Sequence, residues 1–176
     1  VTGRIIIVGM IMSALIAGAA LYYFQIYAFY TEVTSDDVGN VQLVNVVTRA
    51  PEPILFENFE AIDSDSSPVR FRACFDTPLS QAMLTETFVT YDAAEPLVAP
   101  GWFDCFDAQQ IGEALETGEA IAFLGTENIT YGIDRVVAVM PNGRAYAWHQ
   151  INSCGEVVFD GNPAPEGCPP APERLQ

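Results

Sequence analysis

Residues 5–24 run for twenty positions without one charged side chain. As an α-helix such a run reaches about 30 Å, the thickness of a bilayer's hydrocarbon core. The chain is therefore expected to be tethered to the lipid bilayer. Arg4 precedes the run, whereas Glu32, Asp36 and Asp37 follow it. The positive-inside tendency then predicts a cytoplasmic N-terminus and an exported remainder. A cleaved signal peptide is the competing reading, with Ala17-Gly18-Ala19 as the processing site. Against it, the chain stays apolar through Leu21, Tyr22, Tyr23, Phe24, Ile26, Tyr27, Phe29 and Tyr30. Tyr22, Tyr23, Tyr27 and Tyr30 have the pattern of an aromatic belt at the membrane interface.

Within the span, Gly9, Ser13 and Ala17 recur every four residues, and Ala14 and Gly18 repeat the spacing on an adjoining strip. Residues four apart share a helix face, so one side of the rod is nearly free of bulk. Small residues let a second helix approach closely, and in lipid that packing replaces the hydrophobic drive that water supplies elsewhere. The strip is a candidate helix-docking face, for a self-dimer or for an integral membrane protein complex. The plainer explanation is that Gly and Ala are common in membrane helices.

All 23 Asp and Glu residues lie beyond residue 31, against six Arg and no Lys, which gives the exported part a net charge of about −17. Such a surface repels nucleic acid and anionic headgroups and steers basic partners toward it at low salt. A DNA or RNA role is not expected on this ground; solubility alone would also account for the acidity.

The residues divide into an anchor (1–30), a juxtamembrane linker with a first strand at 41–47 (31–50), a globular domain (51–161) and a Pro-rich tail (162–176). In the domain, 54–59 is a short apolar piece between loops. Residues 69–75 alternate as a strand, with Val69, Phe71, Ala73 and Phe75 on one side and both arginines on the other. A short helix is predicted over 78–87 with Thr77 as its N-cap. Residues 88–91 read as extended. A second helix starts at Asp107, carries an apolar stripe of Ile111, Ala114 and Leu115, and ends at Gly118. Residues 120–124 return as a buried strand. The clearest hairpin pairs 133–140 with 144–151 around Pro141-Asn142-Gly143, where Asn-Gly supplies positive φ values. Residues 157–159 would add an edge strand. These pieces predict an α+β domain with an antiparallel sheet and two short helices.

Cys74, Cys105, Cys154 and Cys168 all fall in the exported part. An even number in an oxidising compartment implies disulfides, with three pairings possible. Cys74–Cys105 and Cys154–Cys168 are the expected pairs, because the second closes a loop holding Gly155, Gly161 and Pro163 that has little else to fix it. That closure is worth about 3 kcal/mol by the loop-entropy model. Metal binding is disfavoured by the absence of any Cys-x-x-Cys pair, and covalent haem by the absence of Cys-x-x-Cys-His. No cofactor is expected.

His149 is the only histidine. Catalysis by it would need a positioned partner such as Asp134 or Glu156, and a structural role is expected instead. No Gly-x-Ser-x-Gly elbow, phosphate-binding Gly loop or paired metal-ligand helix is present. Trp102, Phe103 and Phe106 flank Cys105 and read as core packing around a disulfide. Asn128-Ile129-Thr130 is a sequon that matters only in a eukaryotic secretory route.

Four stretches carry a family resemblance: Asp65-Ser66-Ser67-Pro68-Val69-Arg70-Phe71-Arg72-Ala73-Cys74-Phe75, Ala99-Pro100-Gly101-Trp102-Phe103-Asp104-Cys105-Phe106, Tyr131-Gly132-Ile133-Asp134-Arg135 and Ala147-Trp148-His149-Gln150-Ile151-Asn152. With these the chain resembles an uncharacterised single-pass inner-membrane family of Rhodobacter-type alphaproteobacteria. The resemblance implies a bacterial inner-membrane location with a periplasmic domain, and no activity. The histidine-kinase label that some relatives carry finds no ATP-binding box or phosphoacceptor helix here.

Two functional expectations follow. The first is a non-catalytic accessory subunit of a respiratory or photosynthetic electron-transfer complex, able to steer a basic soluble protein such as a c-type cytochrome. The second is a free-standing periplasmic assembly factor or ligand-binding module. An enzyme is a weaker third, contingent on an exposed His149 beside a carboxylate.

Overall fold

The core is built on strands whose two faces are both covered. In the computed structural model, which describes residues 2–34 and 41–173, the order is α1 (Thr2–Ile26), β1 (Thr31–Val33), β2 (Gln42–Val44), β3 (Pro51–Pro53), β4 (Glu57–Asp63), β5 (Arg72–Asp76), α2 (Gln81–Thr87), α3 (Ala108–Glu116), β6 (Ile121–Thr130), β7 (Ile133–Val139), β8 (Arg144–Ile151) and α4 (Ser153–Phe159). Six strands form one antiparallel sheet in the order β1-β4-β5-β8-β7-β6, and β2 pairs with β3 in a separate hairpin. The architecture is α+β.

Alternation along the central strands sorts side chains onto two faces. Phe71, Ala73 and Phe75 meet Ala145, Ala147, Val137 and Phe123 on the first, under Leu43 of β2 and Leu84 of α2. Cys74, Val136, Ala138, Tyr146 and Trp148 lie on the second, under Ile111 of α3 and Phe106. β7 is buried along its whole length. The arginine side of β5 is therefore an interior side, and Arg72 is buried on it.

The 133–151 hairpin forms as its pattern predicts, with Ile133 opposite Ile151 and Val139 opposite Ala145. Its turn differs in detail. Of the two residues expected at positive φ only Gly143 has it, at 87°. Gly143 N donates to Met140 O and Met140 N to Arg144 O, while Asn142 Oδ1 accepts from Arg144 N. That is a type I turn with a glycine bulge.

Several expected elements change. Residues 157–159 are the last turn of helix α4 and not an edge strand: Asn152 Oδ1 accepts from Cys154 N and Gly155 N and so starts a helix there. Thr77 does not cap α2. Ser80 does, its side chain accepting from Met83 N, while Thr77 Oγ1 donates to Leu55 O. The strand expected at 41–47 shrinks to Gln42–Val44, because Asn45 Oδ1 accepts from Val47 N and Thr48 N and turns the chain. The apolar piece at 54–59 runs into β4, whose ladder is interrupted between Glu57 and Glu60, with Asn58 at φ 51°. Part of the expected linker, Thr31–Val33, pairs with Ala61–Asp63 as the sheet's edge. Residues 35–40 of that linker, with Asp36 and Asp37, and 174–176 of the tail lie outside the described residues. The second helix agrees with its pattern: Asp107 Oδ1 caps it, and Gly118 follows at φ 75°.

Candidate docking site on the N-terminal apolar helix and its junction

From Gly3 to Ile26, α1 presents 24 residues with a mean hydropathy of 2.4, long and apolar enough to cross a membrane. It is apolar all round, whereas a helix lying on a protein surface has one polar face. None of the span is buried against the rest of the chain. Gly9, Ser13, Ala14, Ala17 and Gly18 are all exposed. Nothing lies within 4 Å of where a Cβ would stand at Gly9 or Gly18. Ser13 Oγ donates to Met10 O at 2.9 Å, so the strip's only hydroxyl is satisfied within the helix and leaves the face compatible with lipid or another helix.

At the other end of α1 the tyrosines join the helix to the domain. Tyr22 and Tyr23 each contact Tyr27, the latter stacked with ring centroids 6.2 Å apart. Tyr27 stacks on Trp102 at 6.0 Å and Tyr30 meets the same indole edge-on at 5.8 Å. Trp102 Nε1 donates to the Ile26 carbonyl at 2.8 Å. Trp102 is thus not core packing around the disulfide. It closes the helix end, satisfying a carbonyl that has no intrahelical donor. Phe106, by contrast, is core.

Both disulfides form as Cys74–Cys105 and Cys154–Cys168, with Cα separations of 6.2 and 5.8 Å, and no cysteine is free. The first ties β5 to the loop before α3; the second ties α4 to the Pro-rich tail. Such bridges belong to an oxidising compartment.

Two buried polar clusters lie in the domain, one around His149 and one around Asp134. His149 Nδ1 lies 2.7 Å from Pro68 O, which can only accept, so Nδ1 carries the proton and Nε2 accepts from Arg135 Nε at 3.0 Å. The ring stacks on Phe71 at 4.8 Å. Burial first, then the Arg135 charge, push the imidazole down to about 4. Asp134, named from sequence as a partner for His149, points to the opposite face of β7. It accepts from Tyr91 Oη, Asn128 N and Asn152 Nδ2. Burial and then Asp134 raise the Tyr91 hydroxyl well above its ordinary value, which keeps it protonated as the donor to Asp134. A cleft of 420 Å³ opens beside it between Leu97, Gln150 and Glu156. Among the described residues no group of His, Cys, Asp and Glu could hold a metal ion.

Sequence reading did not single out Arg72. Its guanidinium donates to the carbonyls of Val69, Phe71, Leu97 and Val98 and binds the 97–98 loop to β5. Alternation could have placed it on this face of the strand, but only the covering loop makes that face an interior.

A depressed folded-state value for His149 has a defined sign. The unfolded ring takes up a proton below about 6.5, while the folded ring resists until about 4. Its contribution is present above pH 6.5 and lost on acidification through that window, by roughly 3 kcal/mol in all. Urea unfolding at pH 7.0, 5.5 and 4.5 measures it, with His149→Gln as the comparison that removes the imidazole's share of the slope. Equal slopes in both proteins would refute the assignment.

No curated protein and no solved structure matches this chain. A family model does, over residues 41–169, and its description is a family of unknown function. With the match covering most of the chain, the protein belongs to the DUF6446 family.

Proposed function

We propose that this protein is a non-catalytic accessory subunit of an inner-membrane complex, seated through α1, with its acidic domain held on the periplasmic side. The observation that carries the reading is the unburied α1: an apolar rod with a bulk-free strip that its own domain leaves open. Two disulfides support an exported domain, and Arg4 ahead of the span supports a cytoplasmic N-terminus. Electron transfer is the proposed setting because acidity suits a basic soluble partner such as a c-type cytochrome. Two of the domain's arginines, Arg72 and Arg135, are withdrawn from the surface, which leaves the outer face more acidic than composition implies.

Affinity purification in mild detergent tests this. A stoichiometric integral-membrane partner is expected with the wild-type chain and at least a tenfold loss of it with Gly9→Leu or Ala17→Leu, the domain's unfolding curve unchanged. Migration of the wild-type chain only as a free monomer would end the subunit reading. The second reading, a free-standing assembly factor or ligand-binding module, draws on the cleft beside Tyr91. It expects transient association and indifference to both leucine substitutions.

A further inference from the structure

The turn at residues 100–103 sits on the end of the anchor helix. Phe103 N donates to Pro100 O at 2.9 Å, which puts Gly101 and Trp102 at its tip. Trp102 in turn donates to Ile26, the last residue of α1. The indole therefore stands where the apolar span stops. From residue 97 to 103 no side chain is charged. Val98 is 81 % exposed although Arg72 fixes its carbonyl, so the loop holds an aliphatic side chain outward and does not fold it under. That exposure forfeits the burial energy of a valine unless a less polar phase receives it.

We infer that residues 97–103 form a second membrane contact, seated in the headgroup region of a zwitterionic lipid surface beside the end of α1. The inference rests on the reading of α1 as a membrane span. Tyr27 and Tyr30 both pack on Trp102 there, and amphipathic rings of this kind partition to the interface. Arg70, stacked over Tyr30 at 5.5 Å, adds a cation able to meet lipid phosphate. Asp104 and Asp107 are exposed just beyond the loop, and with the domain's net charge they disfavour an anionic surface. Attachment at helix and loop together fixes the domain's tilt over the bilayer, so that it presents one chosen face to a neighbour.

The test uses the full chain in phosphatidylcholine vesicles, with an environment-sensitive fluorophore on Val98→Cys and, for comparison, on Val47→Cys. Val47 is 86 % exposed and follows β2, which packs on β6 at the opposite edge of the sheet from β1. The label at 98 is expected to be blue-shifted and several-fold less quenched by aqueous iodide than the label at 47. Lipids brominated near the headgroup are expected to quench Trp102, with Trp102→Phe as background, since Trp148 is fully buried. Equal iodide quenching at both positions, in chains that resist carbonate extraction, would overturn the loop contact and leave the anchor standing. Release of the chain by carbonate would instead overturn the anchor, and the inference with it.

Discussion

Gly155→Ala is expected to lower the unfolding free energy of the domain by about 3 kcal/mol, at the upper end of what overpacking costs. A Cβ at that position would collide with Gly132 O and stand 2.9 Å from the Gly132 carbonyl carbon and Cα. These are backbone atoms of the turn between β6 and β7, and they cannot swing aside as a side chain would. Gly132 is itself at φ 76°, with its amide accepted by Asn128 Oδ1 and its carbonyl accepting from Asn152 N. Pushing α4 off this turn therefore also pulls on Asn128, Asn152 and Asp134, which share one hydrogen-bonded network. The same substitution elsewhere should have the opposite sign. At Gly112 in α3 a new Cβ meets only Pro96 Cγ at 3.7 Å, an ordinary contact. Removing a helical glycine there should raise stability by about 0.5–1 kcal/mol. Denaturant unfolding of the full chain in detergent, followed by tryptophan fluorescence, compares the two. A Gly155→Ala protein within 1 kcal/mol of wild type would mean that α4 slides freely over the turn.

The elements legible from sequence are those that carry their own punctuation. The β7–β8 hairpin has a turn with Asn and Gly between two apolar runs, and α3 has Asp107 before it and Gly118 after it. What escaped is held by tertiary contact. α4 reads locally as Val-Val-Phe, a strand composition, and becomes a helix through the Asn152 cap, the glycine contact and the Cys154–Cys168 tie. β1 is three residues that exist as a strand only by pairing with β4. Periodicity assigned Arg72 to a face but carried no information on what covers that face. The strip of small residues on α1 can be read from spacing alone, whereas the seat of Trp102 on Ile26 joins residues 76 positions apart and has no local signal.

Arg72→Met is expected to cost about 4 kcal/mol, with Arg72→Lys losing about half as much. Methionine keeps most of the aliphatic stem, so the loss reports on the guanidinium. Burial holds that group down to about 10, against the opposing pull of Tyr30 and then Asp63, and it remains a cation at neutral pH. A buried cation with no carboxylate bonded to it would by itself disfavour the fold. Here the planar fork spans four carbonyls, from Val69, Phe71, Leu97 and Val98, at 2.6 to 3.2 Å. Removing it takes a charged donor from all four carbonyls, the buried one of Phe71 among them, and a cation from the ring of Phe106, over which the guanidinium lies. An ammonium can reach one or two of the four, because its donors diverge from a point. Hydrogen exchange separates the global loss from the local one: in Arg72→Lys, amides from 97 to 103 should exchange faster while β7 stays protected. Unaltered exchange in that loop would show that the turn bearing Trp102 is fixed by α1 alone, and that β5 does not set its position.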